Sequence, residues 1–369
     1  MAGARQKYDH EILLLQGGGA LGAYHAGVYE GLAEAGREPT WAVGVSIGAI
    51  TAALIAGNPP ARRVERLKAF WERISGYAPS DLPPALDMLR PAFNMMSAGA
   101  VATFGAPGFF VPRMPPPFMA APGTPEATSL YDTEPLRATL EEMVDFDLIN
   151  SGKTRISLGA VNVQTGQSIY FDNRKTRIGV EHVMASGALP PGFAAVEIDG
   201  QHYWDGGIVS NSPLTYVTDE RPLTTALIIQ VDLFKAKGEM PLNLDQVLER
   251  HKDIQYSSKQ RFTTERVQEI GELRAALTRL LDKLPAKLRA DADAKRLAAQ
   301  FDKRCWTLAR FTNQRLPNVS QTKDYEFSRA TVNEHWAAGL EDVRRAGKRH
   351  DWLNPDVRAV GLQVHDLTD

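Results

Sequence analysis

The sequence predicts an α/β protein with parallel strands, and two observations in its first 57 residues lead to this prediction. An apolar run at 12–15 is followed by glycines and then by a helix-like stretch at 20–35, which Gly36 ends. The same order then repeats, because an apolar strand at 41–43 leads through a tight turn to an apolar helix at 49–56. Successive units of this kind are typical of buried parallel sheets.

The turn after the second strand carries the sequence Gly-Val-Ser-Ile-Gly at 44–48. A serine with glycine two residues before and after it, between a strand and a helix, is typical of a nucleophile elbow. The turn exposes the serine hydroxyl, and neighbouring backbone passes so close that only glycine fits at Gly44 and Gly48. Backbone N–H groups at the start of the next helix favour negative charge there. We therefore expect Ser46 to be a catalytic nucleophile.

The glycine loop after the first strand has two interpretations. The N–H groups of Gly17, Gly18 and Gly19 lie at the end of a neighbouring strand, where they are placed to complete an oxyanion hole. The spacing of Gly17, Gly19 and Gly22 also matches the dinucleotide-binding fingerprint, which requires an acidic residue about 20 positions further on. The second strand ends in Val-Gly-Val-Ser at 43–46 and has no carboxylate there, which argues against a nucleotide.

Two hairpins are predicted in the middle of the chain. The first pairs 155–163 with 168–171, and the second pairs 196–198 with 201–204 around an Asp-Gly turn. The second hairpin leads into Asp205, Gly206 and Gly207. On local grounds Asp205 is an ordinary turn aspartate. Because a serine needs a base to become nucleophilic, a downstream carboxylate is also a candidate for that base, either directly or through a histidine.

Composition narrows the class of protein. The chain has 369 residues, of which 43% are hydrophobic and 23% are charged, as is usual for a soluble globular protein. Its net charge of −2 gives no reason to expect a nucleic-acid partner. A single cysteine, Cys305, and a polar N-terminus without an apolar signal segment favour a cytoplasmic location. No His, Cys and Asp cluster has metal-ligand spacing, so we expect neither a metal nor a cofactor.

Residues 76–128 form an insertion rich in proline, methionine and phenylalanine, and no charge lies between Arg90 and Arg113. The prolines argue against a stable long helix, and the apolar content argues against a solvated linker. A long insertion of this kind is often a lid, and 91–119 would suit peripheral contact with a membrane. The alternative is a loop folded onto the core. We place the catalytic domain at 1–235 and a mainly helical extension at 236–369.

Four blocks together resemble the patatin-like phospholipases: the glycine loop at 17–22, the elbow at 44–48, Ala-Ser-Gly-Ala at 185–188 and Asp-Gly-Gly at 205–207. The resemblance covers about 11–232. It implies a three-layer α/β/α fold with a mostly parallel central sheet. It also implies a dyad of Ser46 and Asp205, an oxyanion hole at Gly17, Gly18 and Gly19, and metal-free hydrolysis of lipid acyl esters.

Three points qualify what the resemblance implies. The family often has a basic residue where this chain has Leu21, which gives neutral lipids and other acyl esters more weight as substrates. The extension at 236–369 resembles more weakly the one found on some bacterial patatin-like proteins, and this assigns it no role. Acyl chain length, headgroup and oligomeric state are not predicted.

Two alternatives remain open at the level of sequence. One is an α/β-hydrolase triad, in which a histidine that follows Asp205 in the chain is the base. The other is a catalytically silent lipid-binding module that keeps the fold. Four histidines follow Asp205, all in helical or terminal sequence: His251, His335, His350 and His365.

Overall fold

The apolar runs of the sequence form a nine-stranded sheet in the computed structural model. The structure describes residues 8–75, 90–210, 213–220, 225–300, 305–314, 322–349, 352–353 and 361–368. The strands are β1 His10–Leu15, β2 Trp41–Val45, β3 Val111–Pro112, β4 Tyr131–Asp132, β5 Arg155–Asn162, β6 Ser168–Asp172, β7 Val196–Ile198, β8 Gln201–Asp205, β9 Thr225–Asp232, β10 Cys305–Thr312 and β11 Gly361–Asp366.

Helices connect these strands and cover the sheet. Short 3-10 turns occur at Gly19–Gly22, Pro117–Met119, Pro125–Ala127 and Gly206–Ile208. The α-helices are α1 Ala23–Glu34, α2 Ile47–Ala56, α3 Pro60–Ile74, α4 Arg90–Phe104, α5 Glu134–Met143, α6 Phe146–Asn150, α7 Val180–Ser186, α8 Leu214–Asp219, α9 Leu244–Asp282, α10 Ala286–Arg289, α11 Ala292–Gln300 and α12 Arg329–Ala346.

The sheet has the order β11-β10-β9-β1-β2-β5-β8-β7, with β6 paired to β5. The run from β11 to β5 is parallel throughout, and the pairs that involve β6, β7 and β8 are antiparallel. The prediction of a mostly parallel central sheet is therefore confirmed. Because β1 and β2 lie side by side in parallel, the glycine loop and the elbow leave the sheet at the same edge.

Side chains that alternate along the strands pack on opposite faces of the sheet. Leu13 and Leu15 belong to a large core shared with α1, α2 and α12. Ile12 and Leu14 face the other side and pack in a smaller core with α8 and α9. Helices on both faces give the three-layer α/β/α arrangement that was predicted.

The insertion differs from its prediction. Residues 90–104 form α4, so the expectation that proline excludes a long helix is wrong for this part. The physical reason is position, since Pro91 is the helix's only proline and lies in its first turn, where the missing N–H needs no partner. Phe109 and Phe110 then turn into the core. Residues 76–89 lie outside the described part of the chain.

The extension after residue 235 contains long helices, as expected, and it also completes the sheet. β10 pairs in parallel with β9, and β11 pairs in parallel with β10. α12 packs closely against α1, where a Cβ on Gly27 would overlap the carbonyl of Trp336. None of the helices in the described ranges is both long and apolar enough to span a membrane.

Candidate active site

Ser46 lies in a strained turn between β2 and α2. Its backbone has φ 58° and ψ −126°, a left-handed conformation that a residue with a side chain seldom adopts. The neighbouring glycines make the turn feasible. A Cβ on Gly44 would overlap the carbonyl of Gly48, and a Cβ on Gly48 would overlap the carbonyl of Leu15. The turn therefore has the geometry of a nucleophile elbow and is built on close backbone contacts.

The strained turn is braced from the adjacent helix α7. The Ser46 N–H donates to both the carbonyl oxygen and the Oγ of Ser186, at 3.1 and 3.2 Å. The Ser186 hydroxyl in turn donates to the carbonyl of Gly159 on β5 at 2.6 Å. Sequence reasoning included Ser186 in a motif but assigned it no role, because the contact with Ser46 exists only in the folded chain.

Asp205 ends β8 and is held beside the elbow. Its N–H donates to the carbonyl of Ala188 at 2.9 Å, and its Oδ1 accepts the N–H of Gly207 at 2.7 Å. A Cβ on Gly206 would come within 2.6 Å of the Gly159 carbonyl, so glycine lets this turn pack against β5. The carboxylate also accepts a hydrogen bond from the side chain of Ser46. The two side chains that the sequence singled out are therefore in direct contact.

The environment of Asp205 changes its acidity. The residue is only 2% exposed, and this burial raises the pKa of its carboxyl group to about 6. The hydrogen bonds from Ser46 and Gly207 oppose the shift, because they stabilise the charged form. A carboxylate with this pKa is a much better proton acceptor near neutral pH than an exposed aspartate.

The glycine loop lies at the same edge of the sheet. Gly19 has φ 56°, and a Cβ there would overlap the carbonyl oxygen of Asp324. That same oxygen accepts the N–H of Ala20 at 2.8 Å. Within the described ranges, the N–H groups of Gly18 and Gly19 have no backbone acceptor. They are therefore available to an anion in the cavity. Gly22 packs against Ile47, so the loop and the elbow are in contact.

A cavity of about 510 Å³ includes Gly17, Gly18, Gly19, Ser46 and Asp205 in its wall. The rest of the wall is mainly apolar, and such a wall suits a ligand with a hydrocarbon portion. Its aromatic members are Phe109, Phe110, Tyr131, Phe193, Phe234, Tyr256, Tyr325 and Phe327.

Part of this wall comes from the extension after residue 235. Tyr256 of α9 lines the cavity, as do Asp324, Tyr325 and Phe327 from the segment before α12. An ion pair of 2.8 Å joins Lys252 of α9 to the carboxylate of Asp324. The cavity therefore combines the four sequence blocks of the first 207 residues with side chains that no motif indicated.

Comparison with known protein families agrees with this geometry. A family model described as patatin-like phospholipase matches residues 13–218, more than half of the chain. This chain belongs to the patatin-like phospholipase family. A second model, described as patatin phospholipase, matches residues 254–358 and so includes most of α9 and all of α12. Family membership supports a lipid acyl hydrolase function, and the second model covers most of the extension.

Two solved structures are distant matches to this patatin-like chain. VipD from Legionella pneumophila matches with a TM-score of 0.35 and 14% identity, over 92% of this chain and 69% of that chain. A chain of the SpcU–ExoU complex from the type III secretion system of Pseudomonas aeruginosa matches with a TM-score of 0.31 and 17% identity, over 68% of this chain and 48% of that one. No curated protein sequence matches significantly.

The histidines that the structure describes in this family member lie apart from the cavity wall. In the part of the chain that the structure describes, no histidine lines the cavity. His251 is exposed on α9, and His365 lies on β11 rather than in a terminal tail. His335 is buried, with its Nδ1 3.0 Å from the amide of Asn313, and burial lowers its pKa to about 3. His350 is outside the described residues.

The described residues contain no group of three or more His, Cys, Asp or Glu side chains placed to hold a metal ion. Asp205 has the Ser46 hydroxyl and the Gly207 N–H as its polar neighbours, and neither of these groups is a cation. The cavity therefore contains a hydroxyl, a carboxylate and backbone N–H donors, which are the groups that acyl transfer uses.

Proposed function

We propose that the protein is a serine acyl hydrolase that cleaves carboxylic acyl esters of lipids through a dyad of Ser46 and Asp205. The observation that carries this proposal is the hydrogen bond from the strained Ser46 to a buried Asp205, at the floor of an apolar cavity. The N–H groups of Gly17, Gly18 and Gly19 are proposed as the oxyanion donors. Family membership supports the reaction class but assigns no residue.

In the proposed acylation step, Ser46 Oγ attacks the ester carbonyl carbon while its proton passes to Asp205. The carbonyl oxygen becomes an oxyanion, which the glycine-loop N–H groups stabilise. The bond from carbon to the alkoxy oxygen then breaks, and Asp205 returns the proton to that oxygen, so the alcohol leaves and an acyl-enzyme remains. Burial of Asp205 favours this transfer because it raises the affinity of the carboxylate for a proton.

In deacylation, a water molecule is the nucleophile and Ser46 is the leaving group. Asp205 accepts a proton from the attacking water molecule, and the oxygen of that molecule bonds to the acyl carbon. A second oxyanion forms at the same N–H groups. The bond to Ser46 Oγ then breaks and Asp205 returns its proton to the serine, which releases the fatty acid. Each step uses only groups that line the cavity.

Contact with a lipid surface is proposed for the segment 91–119. Its apolar side chains are unusually exposed, and they continue into the cavity through Val101, Phe109 and Phe110. Exposed apolar side chains beside a substrate cavity suit access to aggregated lipid. We define the exposed patch by its seven most exposed apolar residues, which are Met95, Met96, Phe104, Val111, Met114, Phe118 and Met119.

The direct test of the proposal uses Ser46→Ala and a fluorophosphonate probe. Wild-type protein is expected to hydrolyse a lipid ester and to take up one probe per chain, and Ser46→Ala is expected to do neither while unfolding at a similar temperature. Undiminished turnover in Ser46→Ala would exclude Ser46 as the nucleophile. Wild-type protein that neither labels nor turns over any ester would instead indicate the silent lipid-binding module.

A further inference from the structure

Among the described residues, few polar side-chain groups in the cavity wall lack a protein partner. The carboxylate of Asp324 is occupied by its ion pair with α9, and the hydroxyl of Tyr131 donates to a backbone carbonyl at 2.8 Å. Only two tyrosines of the wall, Tyr256 and Tyr325, have hydroxyl groups without a hydrogen-bond partner among the described residues. Each of them is therefore able to donate to a bound ligand.

Tyr256 is held beside the glycine loop. Its ring packs against Phe234 with centroids 4.7 Å apart, and a Cβ on Gly18 would come within 3.3 Å of that same phenylalanine. Its carbonyl accepts the side-chain amide of Gln16 at 3.4 Å, and Gln16 immediately precedes the glycine loop. Tyr256 is thus fixed through both its ring and its backbone.

Acidic neighbours act on both Tyr256 and Tyr325. Burial raises the pKa of Tyr256, and the charges of Asp324 and Asp205 raise it further. The pKa of Tyr325 is also raised, by burial and by the charges of Asp324 and Asp245. The charge of Asp205 therefore acts on Tyr256. The raised pKa of Tyr256 keeps the phenol protonated, so it stays a hydrogen-bond donor.

We infer that the Tyr256 hydroxyl donates a hydrogen bond to the alkoxy oxygen of the scissile ester. This inference rests on the proposed function. The oxyanion of the tetrahedral intermediate faces the glycine loop, so its alkoxy oxygen has to face Asp205, which returns a proton to it. Tyr256 lines the same cavity as Ser46 and Asp205, and its hydroxyl has no hydrogen-bond partner among the described residues. It transfers no proton itself, and it stabilises the negative charge that develops on the alkoxy oxygen as the bond to carbon breaks.

A hydrogen bond from Tyr256 to the alkoxy oxygen predicts a preference for alkyl esters over aryl esters. Alkyl esters such as those of glycerol have poor leaving groups, so charge on the alkoxy oxygen is large in the transition state and a donor there accelerates the reaction. Aryl esters such as p-nitrophenyl esters spread that charge over the ring and need the donor little. Tyr256 therefore adapts this site to esters of aliphatic alcohols.

The experiment compares Tyr256→Phe with wild type on esters of one fatty acid with alcohols of graded pKa. The variant keeps the ring against Phe234 and loses only the hydroxyl. We expect kcat/KM to fall about tenfold for alkyl esters and less than twofold for the p-nitrophenyl ester, as for one lost hydrogen bond. The dependence of kcat/KM on leaving-group pKa should become steeper. Tyr325→Phe is the matched control and should leave that dependence unchanged.

Equal losses on alkyl and aryl esters, or no loss on either, would overturn the inference. It would also be overturned if Tyr325→Phe steepened the dependence as much as Tyr256→Phe. Fluorophosphonate labelling of the same samples separates this result from a failure of the proposed function. Wild-type protein that labels at Ser46 establishes the nucleophile, whatever the outcome for Tyr256.

Discussion

Two regions of the chain build the same cavity in different ways. The elbow and the glycine loop are short motifs whose backbone conformations follow from the glycines they contain, as at Gly44 and Gly48. The extension contributes through contacts between residues far apart in sequence, such as the Asp324 carbonyl that lies against Gly19. The motif region provides the proposed reacting groups, and the extension holds and surrounds them.

This difference affects how the conformation of the glycine loop is maintained. Glycine allows the loop its conformation but does not enforce it, because glycine is free to adopt many others. The carbonyl of Asp324 fills the space beside Gly19 and accepts the Ala20 N–H at 2.8 Å. Lys252 in turn fixes the side chain of Asp324. The conformation of the proposed oxyanion hole therefore depends on the extension.

Among changes to the contacts between the two regions, the largest effect should come from one at Gly19. Gly19→Ala adds a methyl group where the Asp324 carbonyl lies, at a backbone with φ 56°. We expect kcat/KM to fall at least about a hundredfold, as for the loss of an oxyanion-hole donor. Gly36→Ala is the matched control, because Gly36 has φ 68° and no atom within 4 Å of an added Cβ. It should lose about 1 kcal/mol of stability and keep its activity. Similar activities for both variants would contradict this account.

A smaller effect is expected from Lys252→Met, which removes the ion pair with Asp324 and keeps most of the side chain's apolar length. The pair is about three-quarters buried at both ends, with 27% and 29% exposure. We expect kcat to fall about three- to tenfold with KM little changed, because Asp324 acts through the loop. Arg266→Met is the control, since Arg266 pairs on the surface of the same helix. Equal losses of kcat in Lys252→Met and Arg266→Met would contradict a role of Lys252 in holding the site.

The exposed patch allows the insertion and the extension to be compared as lipid contacts. Met96, Met114 and Phe118 are 76–86% exposed in the insertion, and Leu242 and Leu244 are 88% and 73% exposed in the extension. Changing the first three to serine should reduce hydrolysis of vesicle lipid about fivefold and leave a short soluble ester unaffected. Changing the second pair to serine should affect neither substrate. A selective loss in the second variant would assign the lipid contact to the extension.

A last effect concerns stability rather than turnover, and it has opposite signs at two buried aspartates. Burial raises the pKa of Asp205 from 3.8 to about 6, so its ionisation destabilises the fold as pH rises from about 4 to 6. Asp205→Asn should therefore raise the free energy of unfolding at pH 8 by as much as about 3 kcal/mol. Burial also raises the pKa of Asp172, but the hydrogen bond from Arg155 and others outweigh it and lower the pKa overall. Asp172→Asn should lose stability at pH 8. Thermal unfolding checks both, and a destabilised Asp205→Asn would contradict the burial effect.

How far the sequence predicts the site follows from how local each feature is. The elbow, the glycine loop and the Asp-Gly hairpin were predicted because each depends on residues within a few positions, as at Asp199 and Gly200 with φ 51° and 73°. The brace from Ser186 and the positions of Tyr256 and Asp324 were missed, because they depend on packing between distant elements. No periodicity or motif encodes such contacts.

The fold shows the same division. Strands and helices with strong apolar patterns were predicted, and the parallel order followed from repeated βα units. α4 was missed because the count of prolines was weighed without regard to where in the helix Pro91 lies. The pairing of β10 with β9 was not predicted, because strand partners far apart in sequence leave no local signal.

The central claim is that Asp205 itself is the base for Ser46, and the kcat/KM of Asp205→Asn tests it most directly. We predict a loss of at least a thousandfold for Asp205→Asn, with the protein folded, and losses within tenfold for His251→Ala, His335→Ala, His350→Ala and His365→Ala measured singly on the same ester. Wild-type kcat/KM should fall as pH drops below about 6, where Asp205 becomes protonated. The account is contradicted if Asp205→Asn keeps activity within tenfold, or if one folded histidine variant loses a thousandfold.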